Sequence, residues 1–363
     1  MNDIVIIIVV VTCIIVTAFI IFVERTMKKL QHNTTSRRLE GTIVDTKKLV
    51  CTSLQRFGPG PFTLSTNERM HVFNPSIAMR DGKLFVVARL SSTAKCKNPM
   101  PHYITDSVID SNFNVFNERY KFDSSLIIYF HYDSPFAYKV FDNYTSESNN
   151  NISLGMEDPR VFTFQNELWI YFHYRGYRNN RFVHVPAIFK MSTPNDIIYL
   201  GYNGMSEIEK NWMPFEYKHE LYFEYSIHPR MILKCNHVSG KCTLVHSSNY
   251  KNPLGKHVGG GAPAQPVTID NKLYYLGIGH TRKNAPKTLR KNFFYLFKGE
   301  FPFNIVGMSD EFDIHPDNDI EFASGLVVTN NKVLVSVGIQ DCYSILCKYD
   351  LNNVLNFIKP IPI

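Results

Sequence analysis

The chain has 363 residues, and 44% of them are hydrophobic, which is ample for a large buried core. Its formal net charge is +7, but lysine and arginine are dispersed among aspartate and glutamate after residue 50. Because they form no long basic run, the charge pattern argues against a nucleic-acid partner. Aromatic residues make up 13% of the chain, which is typical of β-sheet cores and also of surfaces that stack on sugar rings.

The first feature in chain order is an uncharged run from Ile4 to Val23, composed mostly of isoleucine and valine. A run of about 20 apolar residues is long enough to cross a bilayer as a helix. A cleaved signal peptide is the alternative, but its apolar region is shorter, follows a positive start and ends in small residues. We therefore predict a transmembrane anchor at residues 1–23, and hence a single-pass membrane protein.

Two signals conflict over the side of the membrane on which the remaining chain lies. The positive-inside rule favours the cytosol, because five basic residues follow the apolar run: Arg25, Lys28, Lys29, Arg37 and Arg38. Glycosylation motifs favour a lumenal or extracellular location, and they occur at Asn33, Asn143 and Asn151. We predict the lumenal or extracellular side.

The cysteine spacing bears on the same question. The pairs Cys235/Cys242 and Cys342/Cys347 are close enough in sequence for local disulfides in an oxidising compartment. Reduced and buried cysteines are the alternative. The chain contains no Cys-x-x-Cys motif, so we predict no zinc site.

Residues 24–66 are basic and polar and then rich in glycine and proline, from Gly58 to Pro61. This composition is typical of a linker, and we interpret the segment as a stalk. Residues 67–363 follow as one globular domain.

A repeated pattern dominates that domain: a short polar motif, an apolar run, a tight polar turn and a second apolar run. Five copies begin at Asn74, Glu157, Asn211, Ala262 and Ala323. Most of the intervals are near the period of about 50 residues that is the signature of a β-propeller. The turns are typical of β-hairpins. We predict an all-β fold, a five-bladed β-propeller preceded by a single transmembrane helix. Such a fold brings one loop from each blade to the same end of its axis.

The sharpest local signal lies in the second repeat, where Glu157 and Asp158 precede Pro159 and Arg160. Proline restricts the preceding residue to an extended backbone, which would fix the direction of Asp158. Two carboxylates and an arginine at the start of an inner strand indicate a functional site, although Asp-Pro turns are also common in structural loops.

The later repeats carry further candidates. In the third repeat, Trp212 beside Lys210 and Asn211 is a possible sugar platform, with packing between blades as the alternative. The glycine-rich stretch from His257 to Pro263 would let a ligand approach the backbone, but it lacks the lysine of a phosphate-binding P-loop. Polar residues also end the hairpins, and we take Arg89 and Arg175 as equivalent exit positions in the first two repeats and add His280 and Asp341 from the last two.

Taken in order, these residues resemble glycoside hydrolase family 130 and the related β-1,2-mannosyltransferase/phosphorylase group, glycosyltransferase family 108. The likeness spans about residues 70 to 345 and lies in motif order. The residues that carry it are Asn74, Pro75, Arg89, Glu157, Asp158, Pro159, Arg160, Lys210, Asn211, Trp212, Gly260 to Pro263, His280 and Asp341. The resemblance implies a five-bladed propeller that makes or breaks β-mannosidic bonds with inversion.

The resemblance also implies roles for single residues. Asp158 would be the general acid, its proton passing through a sugar hydroxyl, and Asp341 would hold hydroxyls of the mannosyl unit. The other implied substrate-binding residues are Asn74, Arg89, Glu157, Arg160, Asn211 and Trp212. A cationic set of Arg175, Lys210 and His280 would hold phosphate, and Arg178 and Arg181 are close enough in sequence to compete with Arg175.

An inverting displacement needs a proton donor on one face of the sugar and a nucleophile on the other. A phosphate nucleophile requires cations, whereas water requires a carboxylate base. We therefore predict a membrane-anchored glycosyltransferase or glycoside phosphorylase, with a hydrolase of the same fold or a non-catalytic carbohydrate-binding propeller as alternatives. Inorganic phosphate or an activated sugar would be the co-substrate. We predict no cofactor and no metal, because Asp317 and Asp319 lie in an acidic loop without a nucleotide-binding context.

Overall fold

The computed structural model describes residues 53–56, 62–63, 69–91, 125–131, 134–141, 151–178, 181–283, 289–315 and 320–361. All of these lie in one compact unit, Lys47–Ile363, and a second unit, Met1–Thr46, lies outside the described residues. The described part is built almost entirely of antiparallel strands, with one short helix, α1, at Leu351–Phe357.

The strands form four sheets. The first contains β1 (Ser53–Arg56), β20 (Glu321–Thr329), β21 (Lys332–Ile339) and β22 (Tyr343–Asp350). The second contains β2 (Phe62–Thr63), β3 (Arg69–Arg80), β4 (Lys83–Ser91), β5 (Ser125–His131), β6 (Ser134–Phe141), β7 (Asn151–Phe164), β8 (Glu167–Arg178), β9 (Arg181–Lys190) and β10 (Ile198–Tyr199). The third contains β11 (Met213–Tyr217), β12 (Glu220–Ser226), β13 (Arg230–Cys235) and β14 (Cys242–Ser248). The fourth contains β15 (Val258–Gly260), β16 (Gln265–Ile269), β17 (Lys272–Lys283), β18 (Leu289–Lys298), β19 (Ile305–Ser309) and β23 (Ile358–Pro360).

Each of the five sequence repeats forms a hairpin, namely β3–β4, β7–β8, β11–β12, β16–β17 and β20–β21. Both residues of every turn have a left-handed backbone, for example Asn330 at φ 47° and Asn331 at φ 57°. Two consecutive left-handed residues match the right-handed twist of the flanking strands. The predicted all-β, propeller-like arrangement is therefore confirmed.

The prediction of five blades does not match the sheets, because the described strands form four of them. The nine-stranded second sheet contains both the first and the second repeat. These two antiparallel units are joined through one parallel residue pair, Ser125 with Gly155. The long interval between the first two repeats thus supplies a strand, β5, that bridges them, and the sequence pattern alone did not reveal it.

Apolar clusters between neighbouring sheets form the core. One cluster packs Ile278 and Phe294 of the fourth sheet against Val335 and Ile345 of the first. The first and last repeats also meet, because the hydroxyls of Ser324 and Ser336 on β20 and β21 donate to the carbonyl oxygen of Pro75, at 2.8 and 2.6 Å. The chain therefore returns to its starting repeat, which brings residues far apart in sequence to the same place.

The first sheet is completed from the N-terminal side, since β1 pairs with β22. This strand comes from within the segment interpreted as a stalk. The boundaries of that segment and of the domain remain predictions.

One predicted disulfide is present, between Cys235 and Cys242, with their Cα atoms 4.1 Å apart. Cys342 and Cys347 are also disulfide-bonded, but not to each other. Cys342 precedes β22 and Cys347 lies within it, and five residues of extended strand span roughly 16 Å. This exceeds the separation that a disulfide can bridge.

The predicted localisation must be corrected. In the part of the chain that the structure describes, no helix is both long and apolar enough to span a bilayer, so a single-pass membrane protein is not supported. The run from Ile4 to Val23 lies outside the described residues, as do the sequons at Asn33 and Asn143.

Candidate active site

A shared irregularity opens the first strand of the first, second and fifth repeats. The register with the partner strand shifts between Phe73 and Ser76, between Glu157 and Arg160, and between Ala323 and Gly325. Such bulges redirect side chains and are frequent beside active sites.

In the first two repeats, the residue that precedes proline in the bulge has a left-handed backbone, with φ 50° at Asn74 and 49° at Asp158. The expectation of an extended backbone at Asp158 is therefore wrong, because the bulge overrides the usual restriction before proline. Left-handed conformations are costly for such residues and persist only where the surrounding structure enforces them.

Asn74 and Asp158 meet at the centre of the site. The side-chain amide of Asn74 donates to Oδ1 of Asp158 at 2.9 Å. Arg89 lies beside them, 2.6 Å from Glu157 Oε1 and 3.5 Å from Asp158 Oδ1. Gly338 of the fifth repeat packs against Asn74 so closely that a Cβ atom there would clash with it. The predicted residues of the first two repeats thus form one buried, charged network.

Asp341 of the fifth repeat belongs to the same network. Burial and then the charge of Asp158 raise its pKa, while Arg89, Arg290 and a hydrogen bond from Asn74 act in the opposite direction. For Asp158, burial alone would raise the pKa, but Arg89, the amide of Asn74 and Arg160 outweigh it and hold the pKa below its usual range. Asp158 is therefore an anion at neutral pH, and Asp341 binds a proton more readily than a free aspartate does.

Arg160 connects this network to the third repeat and to the glycine-rich stretch. Its guanidinium is fully buried and donates to the carbonyl oxygens of Gly261 and Asp158, at 2.6 and 3.0 Å, and to Oδ1 of Asn211 at 2.9 Å. Arg160 and Asn211, predicted as substrate-binding residues, therefore hold the backbone of Asp158 in place. Each of the three guanidinium nitrogens of Arg160 thus donates to a protein oxygen.

A second group of polar residues lies beside Glu157. Its Oε2 is 3.4 Å from His184 Nδ1 and 3.9 Å from Lys210 Nζ. Burial and the charge of Lys210 lower the pKa of His184 to about 4, so its ring is neutral near pH 7. The predicted cation Lys210 is therefore within reach of the carboxylate next to Asp158.

The strand register corrects one equivalence. Arg89 pairs with Phe73 immediately before the first bulge, and the corresponding residue of the second repeat is His173, which pairs with Glu157. Arg175 lies two residues further along, opposite Gly155, with its guanidinium 5.5 Å from the Phe182 ring. Two residues along a strand keep the same face, so Arg175 stays on that side of the sheet but farther from the bulge.

No sequence motif indicated His173 or the nearby Tyr171 as part of the site. The Tyr171 hydroxyl lies 2.8 Å from His173 Nε2, and that nitrogen accepts from the backbone N–H of Asn211 at 3.1 Å. Burial and Arg160 lower the pKa of His173 well below its usual value. These residues link the second and third repeats. Aligning the two hairpins so that His173 matches Arg89 would have indicated His173 from the sequence.

Trp212 does not form the predicted sugar platform, because its side chain is fully buried. Its ring packs against Phe223 and Tyr225, and its indole N–H donates to Glu209 at 2.9 Å. Trp212 belongs to the apolar cluster between the second and third sheets, which agrees with the alternative interpretation of packing between blades.

His280 is buried on β17, with its ring 5.5 Å from that of Phe322. Burial, then Arg290 and Arg160, lower its pKa to about 3. The ring is therefore neutral at physiological pH and supplies no positive charge, contrary to the role in a cationic set. Of the two competing arginines, Arg181 is exposed and pairs with Glu207 at 3.0 Å, while the side chain of Arg178 lies outside the described part.

Among the described residues, no three histidine, cysteine, aspartate or glutamate side chains are grouped as a metal site would require. Asp317 and Asp319 lie outside that part of the chain. The chemistry that the site offers is therefore that of its carboxylates, amides and cations.

Solved structures share this fold at low sequence identity. A glycosyl hydrolase from Bacteroides ovatus has a TM-score of 0.53 and 12% identity, covering 89% of this chain and 95% of that one. A member of the GH130 family of mannoside phosphorylases, described as containing hydrolases that target β-1,2-mannosidic linkages in Candida mannan, has a TM-score of 0.52 and 12% identity over 85% and 93%. The β-1,2-mannobiose phosphorylase from Listeria innocua has a TM-score of 0.50 and 14% identity over 88% and 95%.

No model of a known protein family matches the chain, and no curated protein matches its sequence. The predicted resemblance to mannoside phosphorylases is confirmed at the level of the fold. What the chain acts on must be argued from the site.

Proposed function

We propose that this chain is a carbohydrate-active enzyme that transfers a mannosyl or similar glycosyl unit, with inversion, between a β-glycoside and a phosphate-bearing group. The observation that carries the proposal is the convergence of Asn74, Arg89, Asp158 and Asp341 from three separate repeats. Structures with the same fold include mannoside phosphorylases and glycosyl hydrolases, which supports the same class of substrate.

The site offers the mixture of groups that sugar hydroxyls bind. Two carboxylates accept hydrogen bonds, Arg89 donates, and the buried Oδ1 of Asn74 has no hydrogen-bond partner. A hydroxyl both donates and accepts, so it can satisfy this amide oxygen and an adjacent donor together. Leaving Asn74 Oδ1 unsatisfied costs free energy that a bound sugar would recover.

In the proposed phosphorolysis, a phosphate oxygen attacks the anomeric carbon on the face opposite the leaving oxygen. The glycosidic C–O bond breaks, and the leaving oxygen takes a proton that Asp158 delivers through a sugar hydroxyl. The products are a sugar 1-phosphate of inverted configuration and a shortened glycan, and the reverse reaction transfers the sugar to an acceptor.

For this role Asp158 must take up a proton, which its contacts with Arg89, Asn74 and Arg160 disfavour. Its contact with Arg89, at 3.5 Å, is longer than the bond of 2.6 Å that Arg89 makes to Glu157. We infer that a bound sugar hydroxyl replaces this longer contact. Loss of a nearby positive charge raises a carboxyl pKa, so Asp158 would bind a proton more readily once the sugar is bound.

Phosphate is favoured over water as the nucleophile, because a hydrolase needs a carboxylate free to act as a base. Glu157, the carboxylate adjacent to Asp158, is bonded to Arg89 and faces Lys210. Lys210 is half exposed, at 44%, and so is accessible to an anion from solvent. Arg175 is the second proposed cation.

We also infer that the five repeats act as five blades, with the nine-stranded sheet contributing two. The support is that, among the described residues, strand pairing joins its two antiparallel units only at Ser125 and Gly155. On this interpretation each blade directs the start of its inner hairpin to the same end of the fold.

The test uses the purified full-length chain. β-1,2-Mannobiose with inorganic phosphate, and mannose 1-phosphate or GDP-mannose with oligosaccharide acceptors, are supplied in parallel, and products are separated by chromatography. We expect phosphate-dependent turnover that Asp158→Asn abolishes and that Asp310→Asn, at an exposed surface pair with Lys359, retains. Release of free mannose without phosphate would indicate a hydrolase, and glycan binding without turnover would indicate a binding protein; either result contradicts the proposal.

A further inference from the structure

One buried aromatic ring lies close to several polar side chains where the fourth sheet meets the first. Phe322 on β20 is 2% exposed. The guanidinium carbons of Arg160 and Arg290 lie 5.3 and 5.9 Å from its ring centroid, and the His280 ring lies 5.5 Å away. The two guanidinium distances are within the range of cation–π contact. Arg290 was not among the residues that the sequence indicated.

The two arginines differ in what they bind. Arg160 uses its guanidinium on three protein oxygens. Arg290 has no carboxylate at salt-bridge distance among the described residues, and its Nε is buried without a hydrogen-bond partner. Buried donors are almost always bonded in native proteins, so an unpaired one indicates a ligand or water that satisfies it.

A second unpaired atom lies on the neighbouring strand. His280 is 6% exposed, and its Nδ1 also lacks a partner. His280 pairs in register with Asn292, two residues along β18 from Arg290, so these side chains share a face of the sheet. Arg290 and His280 therefore form a polar cluster on one wall, with two nitrogens available to the same ligand.

The cluster also faces the carboxylates of the site. The charge of Arg290 lowers the pKa of both His280 and Asp341. The charge of Arg89 also lowers the pKa of Asp341, and the charges of Arg89 and Arg160 lower the pKa of Asp158. The positive charge of Arg290 thus forms no ion pair within the described part of the chain, while the neutral His280 can contribute a hydrogen bond but no charge.

We propose that Arg290, together with His280, binds an oxyanion of the substrate, and that Arg290 supplies the charge that the sequence assigned to His280. The inference rests on the proposed function, which requires a phosphate-bearing group. A guanidinium is suited to this ligand, because its planar donors match the geometry of phosphate. The oxyanion has two possible sources, free phosphate and the phosphate of an activated sugar.

The experiment measures equilibrium binding of inorganic phosphate, of mannose 1-phosphate and of mannose to the full-length chain by calorimetry. We expect Arg290→Gln to weaken binding of a phosphate-bearing ligand by about 10- to 100-fold, the range for a charged hydrogen bond, and to leave mannose binding nearly unchanged. A loss for inorganic phosphate assigns the site to free phosphate. A loss confined to mannose 1-phosphate assigns it to the activated sugar.

Arg282→Gln is the matched control, because Arg282 pairs with Arg290 across β17 and β18 but is exposed. It should bind each ligand like the wild type. Arg290→Lys keeps the charge without the planar fork and should lose about threefold to tenfold, which preserves the test if the glutamine variant does not fold.

Unchanged phosphate affinity in both Arg290 variants, or an equal loss in Arg282→Gln, would overturn the inference while leaving the proposed function in place. A wild-type chain that binds neither phosphate nor mannose 1-phosphate, and turns over neither, would overturn both.

Discussion

Asn74 and Asp158 stand 84 residues apart in the chain, yet the amide of one donates to the carboxylate of the other at 2.9 Å. Both precede a proline, and both have a left-handed backbone. They occupy the same position in two consecutive repeats, because each is the first residue of a bulge. The repeat therefore places an amide and a carboxylate in matching positions, and packing of the sheets brings the two together.

Asn74→Ala removes the amide that both Asp158 and Asp341 use. We expect a loss of about 10- to 100-fold in kcat/KM for phosphorolysis, since one charged hydrogen bond is worth that factor. The pKa of Asp158 should rise, because the bond from Asn74 is one of the contacts that lower it. Carboxyl NMR titration measures the second effect.

Asn353→Ala is the control for that variant, because Asn353 is an exposed residue of helix α1. Activity within twofold of the wild type in Asn74→Ala would show that the amide is not part of the working site.

Arg160→Met leaves three protein oxygens without their buried donor. We expect the free energy of unfolding to fall by about 3–5 kcal/mol, the usual effect of removing one partner of a buried charged network. Arg80→Met is the comparison, since Arg80 is exposed and lies 3.6 Å from Glu167. A surface pair of this kind contributes about 0–1 kcal/mol. Urea denaturation of both variants gives the two values, and equal losses would contradict the role of Arg160.

Trp212 should matter for stability and not for sugar recognition. Trp212→Phe keeps the apolar contacts and removes the bond to Glu209, so we expect a loss of about 1–3 kcal/mol in unfolding free energy. The KM for the glycoside should stay within twofold. A large rise in KM without loss of stability would restore the interpretation of this residue as a sugar platform.

Glu321 should make stability depend on pH. Its burial raises its pKa to about 7, although bonds from the backbone of Ile314 and His315 and from Asn292 act in the opposite direction. The folded chain therefore keeps a proton that the unfolded chain loses above pH 4.5. Stability from this group is complete below about pH 4.5 and falls as pH rises towards 7, by roughly 3 kcal/mol.

Glu321→Gln imitates the protonated carboxyl and should remove this dependence. Buried histidines with lowered pKa, such as His280 and His184, have the opposite effect, since they destabilise the fold as pH falls below 6.5. The relevant quantity is therefore the difference in unfolding free energy between wild type and variant from pH 4.5 to 8. A difference that does not change with pH would contradict the assignment.

The hairpins and the meeting of Asn74, Asp158 and Asp341 could be predicted from the sequence because both follow from a repeat. Turn residues and the polar motif recur in each copy, and a repeat that closes on itself brings equivalent positions together. The same pattern could not reveal β5, which lies between two repeats and joins them into one sheet.

Other misses have local causes. The sequence analysis aligns Arg175 with Arg89 because both lie near the end of a hairpin. Counting from the second residue of each strand, Leu84 on β4 and Leu168 on β8, aligns Arg89 with His173 instead. Arg290 lies on β18, outside the repeated hairpin, and no sequence motif marked it. The charge of His280 and the burial of Trp212 depend on three-dimensional surroundings that residue types alone do not report.

The anomeric configuration of the first sugar phosphate formed tests the proposed phosphorolysis with inversion most directly. Full-length protein, β-1,2-mannobiose and inorganic phosphate are followed by proton and phosphorus NMR, before the products can equilibrate. We expect α-mannose 1-phosphate from the wild type and no product from Asp158→Asn. A β-configured phosphate, or equal product from the variant, would contradict the proposal.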